Sequence, residues 1–293
     1  MSNNAVLYET PGPKAKRRSM IYSVIVGALL LAVVGWVVLT LAEQGQMTAE
    51  KWGPLLDPTN ATFASLWGML GEGLVSTLTA AGLAMVFSLV IGTLIGVTRL
   101  VSAPWYRWAV VGVVELLRGI PVVITIFFAF RVLPSFGIDL EPLWYLVIGL
   151  TAYNSVIIAE IVRAGILSLP QGQSEAAYAI GMRRGQVLTN VLLPQAFRAM
   201  LPALISQLVV ILKDTSLGFI VSYEDTVRTA QYIIQRLDNP IQTYVVVAAL
   251  FILINYLLSR LATYVEHRLS GGRKSTGKAV HAEDAGRTGG TAT

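Results

Sequence analysis

The chain has 293 residues, of which 54% are hydrophobic and 13% are charged. Soluble domains carry about 25% charged residues, so these charges are too few to cover a soluble surface of this size, and the long apolar blocks indicate an integral membrane protein. The absence of cysteine excludes disulfides and cysteine-based metal sites. The net charge of +5 comes from basic residues beside apolar blocks rather than from a basic stripe, so no nucleic acid partner is expected.

The chain begins with a polar, basic segment, residues 1–19, which we interpret as a flexible cytoplasmic arm. The apolar run over residues 20–42 is long enough to cross a bilayer, since about 20 residues span the hydrocarbon core. We interpret this run as an additional N-terminal anchor. A cleaved signal peptide is the alternative, but its apolar region is usually about 7–15 residues long, and the best cleavage candidate, Thr40-Leu41-Ala42, is poor.

Five further apolar runs predict five more spans, which gives a polytopic, all-α transmembrane fold with six crossings. They cover approximately residues 66–100, 108–133, 143–167, 197–221 and 241–264. Gly92 and Gly96 form a GxxxG spacing that lets another helix approach closely, which we interpret as ordinary helix packing. Pro121 lies inside the third span and predicts a kink or a local break, because proline removes a backbone donor.

The connections between these runs differ in charge. Residues 43–65 are polar and acidic, whereas basic residues lie before the first span, between the second and third, after the fourth and in the tail. Because cytoplasmic loops are enriched in Lys and Arg, both termini and the connection at 168–194 are predicted to be cytoplasmic, and 43–65 to be an extracytoplasmic loop. Residues 222–240 are predicted to be a mixed-charge loop, and 267–293 a disordered cytoplasmic tail.

The longest cytoplasmic connection, residues 168–194, contains Glu175-Ala176-Ala177 followed by Gly181 and, further on, Pro194. Alanines favour a helix, glycine ends one, and proline suits the first turn of the next. We therefore predict two short helices that meet at Gly181. Small residues on a short surface helix are suited to docking into a groove of another protein. A structured loop without a partner is the alternative.

This pattern resembles the EAA loop of ATP-binding cassette (ABC) importer permeases: Glu-Ala-Ala, three residues, Gly, and a distal Leu-Pro. Three more segments resemble the polar amino acid branch of that family. They are Arg118-Gly119-Ile120-Pro121, Ala159-Glu160-Ile161-Val162-Arg163-Ala164-Gly165-Ile166 and Leu212-Lys213-Asp214-Thr215-Ser216-Leu217-Gly218. The branch usually has Thr where Ile120 stands. The resemblance covers about residues 70–265 and leaves the first span outside it.

The resemblance implies a type I ABC importer permease fold, with a five-helix core in residues 66–266. It also implies a bacterial cytoplasmic membrane location, a cytoplasmic ATPase dimer, a second permease subunit and an extracytoplasmic amino-acid-binding protein. ATP and Mg²⁺ would be bound by the ATPase, with no cofactor on this chain. The residues to which it gives an ATPase-coupling role are Glu175, Ala176, Ala177, Gly181 and Pro194.

Charged residues inside the predicted spans are candidates for a substrate path. Charge is costly in hydrocarbon, so such groups usually face a cavity or a partner. Glu160 and Arg163 share a helix face, as do Glu115 and Arg118. Each pair either neutralises itself or serves an amino acid zwitterion, which needs a cation for its carboxylate and an acceptor for its ammonium. The candidate residues are Arg118, Asn154, Glu160, Arg163, Lys213, Asp214, Thr215 and Ser216.

Other classes of protein fit the sequence less well. Residues 272–278 imitate a phosphate-binding loop, but Ala279 stands where Ser or Thr should bind Mg²⁺. The chain is therefore not expected to be an enzyme, and ATP hydrolysis should come from another subunit. A transporter driven by an ion gradient would need no EAA loop and often shows inverted repeats, which are not evident here. A membrane enzyme is the third alternative, and no metal-ligand cluster or paired nucleophile supports it.

Overall fold

The computed structural model describes residues 12–101 and 104–270, and every regular element in this part of the chain is a helix. The helices are α1 (Pro13–Glu43), α2 (Ala49–Leu56), α3 (Phe63–Val101), α4 (Pro104–Gly119), α5 (Val122–Ser135), α6 (Pro142–Leu167), α7 (Gln171–Ala179), α8 (Arg184–Gln186), a π-helical segment (Val187–Leu192), α9 (Leu193–Asp214), a 3₁₀ segment (Thr215–Val221), α10 (Thr226–Leu237) and α11 (Pro240–Ser270). The predicted all-α class is confirmed.

Five of these helical stretches are long and apolar enough to cross a membrane. They are Pro13–Glu43, Phe63–Leu100, Pro142–Leu167, Arg184–Val221 and Pro240–Val265. The predicted third span is instead a pair of helices, α4 and α5, whose axes differ by 103°. Pro121 lies at this break, immediately before α5, with φ −57° and ψ 140°. Counting the bent pair as one span gives six.

Three segments that were predicted to be irregular are helical. The predicted loop at 43–65 contains α2, the predicted loop at 222–240 contains α10, and α11 extends into the predicted tail as far as Ser270. The basic end of the predicted arm is also helical, because Pro13 begins α1 and Lys and Arg are good helix formers. Residues 1–11, and the predicted tail beyond 270, lie outside the described residues.

The core is built around α6. Helix α6 packs against α3, α5 and α9. One apolar cluster joins Ala80 and Ala84 of α3 to Leu146 and Leu150 of α6. By contrast, α1 has no buried residue. The pair α3–α6 therefore lies at the centre of the bundle, and α1 lies at its periphery.

At one end of the bundle, α2, α10 and α11 form a corner together with α3. Leu55 of α2 is fully buried there and packs in a cluster with Leu66, Ile233 and Val246. The indole N–H of Trp67 donates to the Leu55 carbonyl at 3.0 Å. We call this end the α2–α10–α11 corner, and it lies at the opposite end of the spans from α7.

Candidate functional site

The predicted docking segment lies between α6 and α9. Helix α7 begins directly after Pro170 and has one buried residue, Ala177. Glu175 and Ala176 are exposed. Tyr178 is 48% exposed, and Ile180, which follows the helix, is 80% exposed. The Ile180 side chain is therefore accessible to another protein.

Gly181 ends this helix as the pattern predicts. Its φ is +83°, a left-handed value that favours glycine. Its N–H donates to the Tyr178 carbonyl at 2.9 Å, and the Met182 N–H donates to the Ala177 carbonyl at 3.2 Å. These two bonds are the Schellman arrangement that terminates many helices. A Cβ built on Gly181 would meet nothing within 4 Å, so the glycine is required by backbone conformation and not by crowding.

The second half of the segment differs from the prediction. Instead of a separate short helix, α8 has three residues and continues as the π-helical segment into α9. Val187 and Leu188 are buried and anchor this stretch to the bundle. Pro194 lies in the first turn of α9 and has no N–H to donate to the π-helical turn that precedes it. The segment is therefore an exposed helix followed by a continuous helical connection to a membrane span, anchored by two buried residues.

A cluster of three charges lies on the α7 side of the bundle. Both oxygens of Glu160 are used: Oε1 accepts from Arg99 of α3, and Oε2 accepts from Nε of Arg163 at 2.9 Å. The helical spacing predicts the pairing of Glu160 with Arg163 but not the contact with Arg99. A signal was present, because Gly92, Gly96 and Arg99 follow one another at spacings of four and three residues and so share a helix face.

Asn154 lies near the middle of α6 and is fully buried. Its Nδ2 donates to the Leu150 carbonyl at 2.8 Å, and its Oδ1 accepts from Nε2 of Gln207 at 2.7 Å. This bond joins α6 to α9 inside the bundle. Gln207 was missed by the sequence analysis, since nothing in the pattern of α9 identifies it as the partner.

The remaining candidates lie further along α9 and at the end of α4. Lys213 is exposed, Asp214 and Ser216 are half-buried, and Thr215 is fully buried with its hydroxyl donating to the Leu212 carbonyl at 2.6 Å. Arg118 is exposed, and within residues 12–101 and 104–270 no ion pair joins it to Glu115. Within this chain the candidates therefore form separate groups and not a single pocket.

No group of three or more His, Asp or Glu residues suited to holding a metal ion occurs in the part of the chain that the structure describes. The features on this chain are apolar spans, a few charges between them and an exposed helix at one end. Together they define a multi-spanning integral membrane protein.

The comparisons with known proteins identify the family. Residues 88–271 match the model of the "Binding-protein-dependent transport system inner membrane component" family, and the chain belongs to that family. It is a permease subunit of an ABC importer and not itself an enzyme, since a separate subunit supplies the ATPase. The resemblance predicted from the sequence is confirmed.

Individual proteins agree with this assignment. The chain is 39% identical over 236 residues to the glutamate transport system permease protein GluD of Corynebacterium glutamicum, and the match covers 80% of this chain and 85% of the relative. It is 33% identical to the L-cystine transport system permease protein TcyB of Bacillus subtilis, covering 72% and 91%. The crystal structure of an amino acid ABC transporter with histidines superposes with a TM-score of 0.65, at 26% identity, covering 71% of this chain and 97% of that one.

Proposed function

We propose that this chain carries a polar amino acid, glutamate or a related one, across the bacterial cytoplasmic membrane by alternating access. Support comes from its 39% identity to a glutamate permease and its 33% identity to a cystine permease. Both substrates are polar amino acids. The residues of the predicted translocation domain, 66–266, overlap most of the matched family region, and residues 20–42 would add an anchor outside it.

The proposal rests on the exposure of helix α7 and on its termination at Gly181. In the proposed importer α7 is the coupling helix, on which a cytoplasmic ATPase dimer docks through Glu175, Ala176, Tyr178 and Ile180. Gly181 gives the helix its end, and Pro194 begins the span that receives the movement. ATP and Mg²⁺ bind to the ATPase, whose closure displaces α7 and the spans joined to it.

Six crossings place both termini on one side, and the enrichment of Lys and Arg beside α7 and at both ends of the chain supports the cytoplasm as that side. The α2–α10–α11 corner then faces outward, where an amino-acid-binding protein delivers the substrate. A second permease subunit, identical or similar, completes the path. The exposed apolar residues of α4 and α5, including Leu116, Ile124 and Phe128, are consistent with a covered surface.

The substrate path in this proposal is lined by polar groups of α4, α6 and α9. Lys213 and Arg118 are exposed and available for a carboxylate, and Asp214 and Ser216 are partly accessible for an ammonium. Asn154 and Thr215 are fully buried in hydrogen bonds of their own and support this lining from behind. For Glu160 and Arg163, the contact with Arg99 favours the other predicted role, mutual neutralisation.

The test is co-purification of an ATPase with the tagged full-length chain from its native membrane, comparing wild type with Gly181→Asp. A matched control exists at the other end of the bundle. Gly137 also has a positive φ, +77°, its N–H and that of Ile138 make the same pair of end-of-helix bonds, and a Cβ there meets nothing within 4 Å. Gly137→Asp therefore imposes the same backbone strain away from α7.

We expect the ATPase to accompany wild type and Gly137→Asp and to be lost from Gly181→Asp. Equal loss from both glycine variants would mean that strain alone unfolds the chain. If no ATPase accompanied intact wild-type protein, a transporter driven by an ion gradient would be favoured instead. Uptake of labelled glutamate, competed by excess aspartate, glutamine, arginine or histidine, then identifies the substrate among the polar amino acids.

A further inference from the structure

Helices α3 and α6 lie unusually close together along one seam. A Cβ built on Gly92 would be 2.7 Å from the Ser155 carbonyl oxygen, and one on Gly96 would be 2.8 Å from the Ala159 carbonyl oxygen. Neither position can carry a side chain without separating the two backbones. The glycines therefore allow the contact, but they supply no directional bond that holds the helices in register.

The directional bond comes one turn further along the same face. Arg99 follows Gly96 by three residues and binds Glu160, which follows Ala159 directly. Arg163, one turn beyond Glu160 on α6, binds the other carboxylate oxygen at 2.9 Å. One anion is thus held between two guanidinium groups that belong to different helices. The side chains of Arg99 and Glu160 are 13% and 26% exposed, so water screens this contact only in part.

The cluster lies close to α7. Glu160 is seven residues from the end of α6 at Leu167, which is about 10 Å along the axis. Residues 168–170 then join α6 to α7 directly, and the Ser168 hydroxyl donates to the Gly165 carbonyl at 2.8 Å. A displacement of α7 reaches α6 through this short link, and it reaches α9 through the π-helical segment on which α7 packs. Whether α3 follows depends on what holds α3 to α6 at this level.

We propose that Glu160 is a positioning residue that fastens the end of α3 to α6, so that movement of α7 displaces both helices together. This inference rests on the proposed function, in which α7 is where the ATPase docks. It assigns Glu160 to transmission of movement and not to contact with the transported amino acid. Arg99 is its essential partner, and Arg163 holds the second carboxylate oxygen.

Two readouts separate this proposal from the alternative role of Glu160 as a substrate ligand. The first is structural. Because the chain has no cysteine, spin labels can be placed at Leu94→Cys and Ala164→Cys, which are exposed on α3 and α6. We expect one narrow distance distribution in the wild type and a broader one in Glu160→Gln. Glu141→Gln, at the exposed opposite end of α6, should leave the distance distribution as narrow as in the wild type.

The second readout is the number of amino acid molecules taken up per ATP hydrolysed, measured in proteoliposomes with the complete transporter. Glu160→Gln should lower this ratio on the order of tenfold, as for a typical coupling between sites, while the ATPase still co-purifies. The double variant Arg99→Glu with Glu160→Arg moves the carboxylate from α6 to α3, where it faces the guanidinium groups at positions 160 and 163. One anion remains between two cations, so the double variant should restore both the narrow distribution and most of the ratio.

A substrate ligand would behave differently, because an arginine at position 160 cannot bind an ammonium group. A double variant with restored helix distances but a raised KM for uptake would overturn the proposal. So would an unchanged distribution in Glu160→Gln. If Glu160→Gln does not fold, the double variant and Glu160→Asp carry the test. If no ATPase co-purified with the wild-type chain, the proposed function would be refuted, but the distance measurement would remain valid.

Discussion

The two ends of the bundle differ in how far contacts within the chain cover them. At the α2–α10–α11 corner the chain's own distant segments cover one another: the Lys51 ammonium donates to the Asp238 carbonyl at 3.1 Å, and the Asn239 amide donates to the Lys51 carbonyl at 3.3 Å. At the other end, α7 buries only Ala177, and one amide contact at 3.3 Å, from Gln195 to Gln173, joins its side chains to α9.

The difference shows which surface is complete within one chain. Asn239 and Gln242 are fully buried at the corner, and the amide nitrogens of both donate to backbone of the α1–α2 region, whereas Oε1 of Gln242 has no hydrogen-bond partner among the described residues. Buried polar groups of this kind require their partners, because an unsatisfied group costs about 1–3 kcal/mol. The side chains of α7 make few such contacts, and Ile180 beside it is exposed. The corner is therefore a structural end of the bundle, and the α7 end, which is left open within this chain, is the one that we propose for ATPase docking.

The largest expected effect tests the corner. Leu55→Ala removes a fully buried side chain from the cluster with Ile233 and Val246, so it should lower the free energy of unfolding by about 2–5 kcal/mol. The adjacent Leu56 is 59% exposed, and Leu56→Ala should change it by less than about 0.5 kcal/mol. Thermal unfolding in one detergent compares the two. Equal effects would mean that α2 does not pack on the corner in solution.

A smaller effect at the same corner depends on pH. Asp225 is fully buried, and its Oδ1 accepts from the Arg228 N–H at 2.8 Å, which caps α10. Its Oδ2 has no hydrogen-bond partner among the described residues. Burial raises the pKa of this carboxyl from 3.8 to about 6, against the lowering effect of its backbone hydrogen bonds and of the nearby Arg228 charge.

The sign of the pH dependence follows from this raised pKa. The folded chain binds the Asp225 proton more tightly than the unfolded chain, so the contribution of this group is most favourable below about pH 4 and is lost as pH rises through about 6. We expect the melting temperature to rise between pH 7 and pH 5. Asp225→Asn keeps an acceptor for the cap and should remove most of this rise. Asp238→Asn, at the exposed other end of α10, should keep it. A slope that survives in Asp225→Asn would assign the pH dependence to other groups.

The two ends also differ in how much the sequence predicts. The end of α7 is local: a glycine with its neighbours determines it, and the pattern around Gly181 identified it. Helices α2 and α10 are short, with 8 and 12 residues, and helices of this length are marginal on their own. Their stability comes from distant contacts such as Leu55 with Ile233. A polar composition therefore suggested loops where tertiary burial produces helices.

The charged and polar contacts within the bundle show the same limit. The spans themselves follow from apolar length, and Pro121 identifies the break. The partners of Glu160 and Asn154, however, lie 61 and 53 residues away in sequence. Gly92 and Gly96 mark the face of α3 on which Arg99 also lies, but no comparable pattern in α9 identifies Gln207. The candidate groups and the local Glu160–Arg163 pair were therefore identifiable from the sequence, and the long-range contacts with Arg99 and Gln207 were not.

The smallest expected effect on stability gives the sharpest test of the open end. Ile180 and Gly181 are matched at the other end by Phe136 and Gly137: both apolar side chains are highly exposed, at 80% and 76%, and both precede a glycine with positive φ. Ile180→Ser and Phe136→Ser should each change the free energy of unfolding by less than about 0.5 kcal/mol, because neither side chain is packed.

Their effects on partner binding should differ. An exposed apolar side chain at the centre of a docking surface contributes about 1 kcal/mol or more when a partner buries it, so Ile180→Ser should weaken ATPase binding at least about fivefold. Phe136→Ser should leave it unchanged. Titration of purified ATPase against each variant in nanodiscs measures both. If Ile180→Ser bound the ATPase as tightly as wild type, the docking surface would have to lie on the Glu175 side of α7, and the exposed isoleucine would be left to contact lipid headgroups.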